Sequence, residues 1–148
     1  MVSIKKVVML GVALGLTGLV GCATKPKPGE AFAENVVYHV NDAANANAAM
    51  NNVKNHMAAN PQAKIVVVTH GKGIDFLLDG ANDEKGNPYS IRVQELKGKG
   101  IAFNVCNNTL VGRKIDPKTV MPEASIVPSG VAEITKLQKV EGYSYIKP

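Results

Sequence analysis

Short apolar runs alternate along the chain with segments in which apolar residues recur every three or four positions. The runs are rich in Val, Ile and aromatic residues, which is typical of β-strands. They predict five strands, at residues 35–40, 63–69, 101–105, 125–127 and 143–146. The run at 63–69 is apolar without interruption, as expected for a central strand covered on both faces.

The intervening segments predict helices. The first carries apolar residues at helical spacing (Ala46, Ala49, Met50, Val53 and Met57) and ends at Asn60-Pro61. Two short helices are expected at 74–78 and 107–114. A longer helix is expected to be capped by Ser90 and to carry Tyr89, Val93 and Leu96 on one side. The last helix is expected to turn Val131, Ile134 and Leu137 inward and to end at Gly142. The seven Asn residues between positions 41 and 60 are predicted to form a solvated helix face or an oligomer contact.

This alternation of strands and helices predicts one three-layer α/β/α domain with a mostly parallel sheet of about five strands. Nothing in the sequence suggests an internal repeat.

The first 22 residues have the pattern of an export signal. Lys5 and Lys6 precede the apolar run 7–20, which would rise only about 21 Å as a helix, too little for a hydrocarbon core of ~30 Å. The ending Leu19-Val20-Gly21-Cys22 resembles the lipobox of bacterial lipoproteins, in which the cysteine is lipidated after cleavage. We therefore predict a signal peptide at 1–21, a lipidated Cys22 and tether at 22–34, and a folded domain at 35–148. The alternative is an ordinary secreted protein with a chance cysteine.

The predicted location follows from this anchor. Cys22 would hold the protein on a membrane facing the periplasm, and Ala23, rather than Asp, at the next position favours the outer membrane where there are two.

Lys5 and Lys6 account for part of the net charge of +5. The other lysines are scattered and no Arg-rich stripe is interleaved with aromatic residues, so nucleic acid is not expected as a partner.

Cys22 and Cys106 are the two cysteines of the chain. If Cys22 carries lipid, Cys106 has no partner for a disulfide within the chain, although exported domains usually pair their cysteines. Cys106 is then an intermolecular linker, a reactive thiol or a small buried apolar residue.

Three polar segments follow the predicted strands, where ligands bind in open parallel sheets. They begin at His70, Cys106 and Pro128. A thiol in the first turn of a helix has a lowered pKa, and Lys72 would act in the same direction if it came near. Ser129 and the N–H of Gly130 would hold an anion or a second sulfur atom.

His70 and Asn107 complete the set of predicted site residues, with a simple turn as the alternative for His70. Cys106 has an alternative as inert packing and Ser129 as a helix cap. His39 is expected to be a satisfied core or interface histidine, and His56 to be exposed.

Several strings resemble the DsrE/DsrF-like proteins. They are NVCNNTL at 104–110, IVPSGVAE at 126–133, the C-terminal residues 137–138 and 141–148, VVYHV at 36–40 and THG at 69–71. The resemblance implies a parallel five-stranded α/β/α domain that forms trimers or hexamers. In the sulfur-relay members a cysteine accepts sulfur as a persulfide, and the motif match assigns that role to Cys106.

The sequence therefore favours a sulfur carrier that exchanges sulfane sulfur with a donor and an acceptor, which are proteins or small polysulfides. No cofactor or metal is expected. The competing interpretation is a non-catalytic lipoprotein of the same fold that binds a small ligand or acts as a scaffold. A third one uses Cys106, His70 and His39 as ligands for copper or zinc, although no local spacing pairs them.

Overall fold

The computed structural model describes residues 32–148, and they form a five-stranded parallel sheet with helices on both faces. The signal, Cys22 and most of the predicted tether lie outside the described residues. The order of the sheet is β4-β3-β2-β1-β5. Its strands are β1 Asn35–Val40, β2 Lys64–Thr69, β3 Ala102–Cys106, β4 Ala124–Val127 and β5 Ser144–Ile146. The prediction of a three-layer α/β/α fold is confirmed.

Four α-helices connect the strands: α1 Ala46–Ala59, α2 Tyr89–Gly98, α3 Asn107–Arg113 and α4 Gly130–Lys139. Three 3₁₀ helices accompany them, at Ala43–Asn45, Gly71–Leu77 and Pro117–Thr119. No helix within residues 32–148 is both long and apolar enough to cross a bilayer.

The two faces of the sheet are covered unequally. On one face, α1, α2 and α3 pack with alternate strand residues into the main core, which includes Met50, Val93, Phe103 and Leu110. On the other face α4 packs alone, placing Ile134 and Leu137 against Val37, Val66 and Val68. Strand residues of this second face lie beside α4 rather than under several helices, so polar side chains there have access to water.

Three local expectations were wrong. Val131 is 58% exposed, because Gly130 occupies the inward position one turn before Ile134. Ser90 does not cap α2, whose N-cap residue is Pro88 without a side-chain cap bond. The helix expected at 74–78 is the longer 3₁₀ helix Gly71–Leu77.

His56 was expected to be exposed and is instead half-buried at the amino-terminal end of the sheet. Its Nδ1 is 2.9 Å from the Tyr38 hydroxyl, and its Nε2 is 2.6 Å from Glu34 Oε1. Asn60 donates to the same Glu34 oxygen and to the Phe32 carbonyl. Burial raises the pKa of Glu34, but these hydrogen bonds and the nearby imidazole outweigh it and hold the pKa below its ordinary value. This network fixes the segment before β1 to the end of α1.

The Asn-rich face of α1 is bound in part by α2. Arg92 donates to the side-chain oxygens of Asn47 and Asn51 at 2.8 and 2.6 Å. Asn52 and Asn55 are exposed, as predicted for a solvated face.

Candidate active site

Cys106 lies at the carboxyl edge of the sheet, where it is both the last residue of β3 and the N-cap residue of α3. Its backbone is extended (φ −71°, ψ 114°), so the chain turns into the helix directly after the sulfur-bearing residue. Cys106 is paired in register with Val127 at the end of β4. The segment that follows β4 therefore comes back beside the sulfur and begins α4 there.

Gly130, the first residue of α4, makes the closest approach to Cys106. A Cβ atom placed on Gly130 would lie 3.2 Å from the Cβ atoms of both Cys106 and His70 and 3.0 Å from the Thr69 carbonyl oxygen. Cys106 and His70 therefore flank the same small space, and a side chain at position 130 would fill it. The amino-terminal ends of α3 and α4 both begin at this place.

The surroundings of the Cys106 sulfur favour the thiolate. Burial raises the pKa of the thiol, since the residue is 5% exposed. The Thr109 hydroxyl and the backbone N–H groups of Gly130, Thr109 and Asn108 outweigh burial and hold the pKa below its ordinary value. The Cys106 side chain makes no cap hydrogen bond to α3, and the N–H of Asn108 also donates to the Pro128 carbonyl at 3.3 Å. The thiolate is therefore stabilised by several N–H groups together and not by one short hydrogen bond.

Thr109 is oriented by the segment after β2. Its Oγ1 accepts a hydrogen bond of 3.0 Å from the N–H of Gly71, which leaves the hydroxyl hydrogen to be donated to the sulfur. Arg113 holds the same segment by donating to the Gly71 carbonyl and to Asp75. The turn at Gly71, with φ of +58°, thus sets the direction of the Thr109 hydroxyl.

The predicted site residues are distributed unequally around the sulfur. Gly130 and His70 adjoin Cys106, as described above. Ser129 is the N-cap residue of α4, where its Oγ accepts from the N–H of Ala132 at 3.4 Å, which is the structural role considered for it. Lys72 is exposed and is not among the groups that lower the pKa of Cys106. Asn107 is the half-buried first residue of α3.

His70 belongs to a group of side chains that includes His39, Tyr145 and Lys147. His39 was expected to be a satisfied core or interface histidine, or a metal ligand together with Cys106 and His70, whereas Tyr145 and Lys147 were not predicted. His39 Nε2 is 2.7 Å from His70 Nε2, and His39 Nδ1 is 2.6 Å from the Tyr145 hydroxyl. The positive charge of Lys147 also acts on both imidazoles. His39 alternates onto the face of Val37, and Val37 pairs with Tyr145 of β5, so strand register was the signal that could have brought Tyr145 to His39.

The interpretation as a copper or zinc site receives no support from residues 32–148. No group of three or more His, Cys, Asp or Glu side chains within that range is arranged to hold a metal ion. A cavity of about 730 Å³, lined by residues that include Asn47, Asp75, Phe76 and Tyr89, contains none of the predicted site residues.

Removing the Thr109 hydroxyl is expected to raise the pKa of Cys106. A Thr109→Val variant should therefore react several-fold more slowly with a small alkylating reagent near neutral pH, with the rate recovering at high pH where the thiol ionises anyway. The measurement is the alkylation rate as a function of pH.

Two variants control this comparison. Thr109→Ser keeps a hydroxyl and should react as the wild type does. Thr135→Val removes an exposed threonine hydroxyl of α4 that bonds the Val131 carbonyl and should leave the rate unchanged. If all three variants share one pH profile, the hydroxyl does not stabilise the thiolate.

The fold and the site together define a class of protein. It is a parallel α/β/α domain whose third strand ends in a cysteine with polar neighbours and a lowered pKa. Residues 32–148 match the model of the DsrE/DsrF-like family. The chain belongs to that family, which is related to sulfur-relay proteins.

Solved structures agree with this assignment. MTH1491 from Methanobacterium thermoautotrophicum, described as a protein of unknown function, is 32% identical with a TM-score of 0.68, and the alignment covers 78% of this chain and 99% of that one. The ychN protein from E. coli shares the fold at 8% identity, with a TM-score of 0.62 and coverage of 79% and 100%. No curated protein matches the sequence.

Proposed function

We propose that this domain carries sulfane sulfur as a persulfide on Cys106. The observation that carries the proposal is the lowered pKa of a thiol surrounded by N–H groups and a hydroxyl at the edge of the sheet where ligands bind. A thiolate is the nucleophilic form of cysteine, and the same N–H groups would also stabilise the negative charge of a bound persulfide. Membership of a family related to sulfur-relay proteins supports this choice among thiol chemistries.

The transfer has two balanced halves. The Cys106 thiolate attacks the outer sulfur of a donor persulfide, a new S–S bond forms, the S–S bond of the donor breaks, and the donor leaves as a thiolate. An acceptor thiolate then attacks the outer sulfur on Cys106, whose own thiolate is the leaving group. No oxidant or reductant is consumed, because one S–S bond replaces another in each half.

We further propose that the domain works as an exported lipoprotein. The lipobox-like sequence ending at Cys22 supports a membrane anchor, and the polar, Pro-containing residues 23–30 support a tether that holds the domain away from the lipid. The expected location is the periplasmic side of a membrane, with the outer membrane favoured. Metabolic labelling with a fatty acid, with Cys22→Ser as the unlabelled control, tests the anchor.

We also propose a homo-oligomer, a trimer or hexamer. Val131 at the start of α4 and Ile126 of the edge strand β4 are 58% and 41% exposed, which supports a subunit contact on this side of the domain. Sedimentation of the purified domain measures the number of subunits.

The experiment for the main proposal is loading followed by mass analysis. The purified domain is incubated with inorganic polysulfide, and its intact mass and Cys106 peptide are measured before and after a reducing thiol is added. The proposal expects one added sulfur atom on Cys106 that the thiol removes. A domain that never gains sulfur would refute it.

The burial of Cys106 favours a second candidate, a binding or scaffold lipoprotein in which the thiol is packed. The two functions differ in the reactivity of the folded protein. A sulfur carrier should react with small reagents in the native state even if bulky ones are excluded, whereas a packed thiol should react with neither until the domain unfolds. Native and unfolded thiol titrations with reagents of two sizes separate them.

A further inference from the structure

Three side chains form a continuous line of hydrogen-bonding groups beside Cys106. The Tyr145 hydroxyl lies 2.6 Å from His39 Nδ1, and His39 Nε2 lies 2.7 Å from His70 Nε2. The two imidazole rings have centroids 4.6 Å apart. The residues come from three different places in the chain, the ends of β1 and β2 and the middle of β5, so tertiary structure alone assembles the line.

The line begins at the partly exposed Tyr145 and ends at His70, whose Cβ lies beside the same space as the Cβ of Cys106. Tyr145 is 40% exposed, whereas His70 is half-buried and flanks, with Cys106, the space above Gly130. Nε2 of His70 is engaged by His39, and Nδ1 is left without a hydrogen-bond partner among residues 32–148. Nδ1 is therefore the nitrogen that remains for a molecule bound at Cys106.

The surroundings of both histidines favour the neutral imidazole. Burial lowers the pKa of His39 to about 4, with His70 and Lys147 adding to the effect. Burial, followed by the charge of Lys147, also lowers the pKa of His70. No carboxylate within residues 32–148 hydrogen-bonds either ring to favour the charged form.

A neutral imidazole carries one N–H and one bare nitrogen, so the line has two arrangements. In the first, Tyr145 donates to His39, His39 donates to His70, and His70 Nδ1 carries a hydrogen. In the second, every bond is reversed and His70 Nδ1 is bare. Switching between the two arrangements moves one proton between solvent and the sulfur site without creating an imidazolium ion.

We propose that His70 is the acid–base residue of sulfur transfer at Cys106 and that His39 and Tyr145 relay its proton to and from solvent. This inference rests on the proposed function, and it assigns a role to residues that sulfur loading by itself does not require. His70 is the group that would contact the donor or acceptor, and His39 and Tyr145 act through it.

The two halves of the transfer use opposite arrangements. When a donor leaves as an alkyl thiolate, His70 Nδ1–H protonates it, His70 Nε2 takes the proton of His39, His39 Nδ1 takes that of Tyr145, and Tyr145 takes one from water. When an acceptor thiol attacks the persulfide, its proton goes to His70 Nδ1 and one proton leaves from Tyr145 to water. The second half restores the first arrangement, so the cycle balances.

The test is discharge of the loaded protein to two acceptors. An alkyl thiol is mostly protonated near pH 7 and has to lose its proton to attack, whereas an electron-poor aromatic thiol is already a thiolate. For His70→Asn, we expect discharge to 2-mercaptoethanol to slow by about 100-fold, the usual scale of general base catalysis, and discharge to an aromatic thiolate to change little. Tyr145→Phe, which removes only the exposed end of the relay, should show a smaller loss confined to the alkyl thiol.

Tyr143→Phe is the matched control, since Tyr143 packs against the α4 cluster and lies outside the relay. Equal slowing with both acceptors would mean that His70 merely packs the site, and no slowing with either would remove it from the chemistry; each result overturns the inference. Failure of the wild type to load any sulfur is a different outcome, because it refutes the proposed function itself. Tyr145→Phe lies at the surface and keeps the test decisive if His70→Asn does not fold.

Discussion

Polysulfide is expected to add no sulfur to a Cys106→Ser domain, while the wild type gains one sulfur atom that a thiol removes. The change replaces one heavy atom in a buried position and leaves the N–H groups of Gly130, Thr109 and Asn108 in place. A hydroxyl has no comparable tendency to ionise at neutral pH and cannot form an S–S bond. The expected loss is therefore complete, and intact-mass measurement of both proteins after the same incubation shows it.

This result needs evidence that the variant is folded. Serine has almost the same size as cysteine and can accept hydrogen bonds from the same N–H groups. Thermal unfolding should therefore remain cooperative, with a midpoint close to that of the wild type. Equal loading of Cys106→Ser and wild type would contradict the proposal, because sulfur would then be held elsewhere. With Cys22 absent from a soluble domain beginning near residue 32, no other cysteine remains to take it.

The architecture was predictable because each element has its own local signal. Uninterrupted β-branched runs gave the central strands, and spacing of three or four gave the helices, so parallel order followed from their alternation. The wrong predictions concern residues whose burial depends on how a helix packs against the sheet and not on local spacing alone. Val131 satisfies the helical spacing, but the first turn of α4 reaches the edge of the sheet and only Gly130 fits beneath it.

The candidate site was predictable only in part. Cys106 and Gly130 follow strands, and strand ends meet at one edge of a parallel sheet, so the sequence placed them together. The choice between His70 and Lys72 depended on the turn at Gly71, which leaves the lysine exposed. The role of Thr109 depended on which residue of a polar run α3 turns toward the sulfur.

The relay could not be predicted from local pattern. His39 and His70 are 31 residues apart, and His39 and Tyr145 are 106 apart. The contact between His39 and His70 depends on β1 pairing with β2. The contact between His39 and Tyr145 depends on β5 pairing with β1 rather than with β4. Alternation assigns His39 to a face, and the strand order alone decides which residue meets it.

Gly73→Ala is expected to lower the free energy of unfolding more than any other substitution proposed above. A Cβ atom at position 73 would lie 2.1 Å from the Val40 carbonyl oxygen and 2.9 Å from the carbonyl carbon of Asn41, so backbone has to move. Overpacking typically costs about 1–3 kcal/mol, and the need to move backbone places this substitution at the upper end of that range. Such a loss is a large part of the total stability of a small domain. Urea unfolding of variant and wild type measures the difference in the free energy of unfolding.

Gly112→Ala is the matched control for this measurement. Gly112 lies in α3 with nothing near the position of an added Cβ, so alanine there should be neutral or stabilising by about 0.5–1 kcal/mol. The cost at Gly73 should also reach the site, because the same 3₁₀ helix begins at Gly71, which donates to Thr109, and directly follows His70. A Gly73→Ala domain that remains folded should therefore alkylate Cys106 more slowly, whereas wild-type stability together with wild-type reactivity would show that the approach of this segment to β1 is not required.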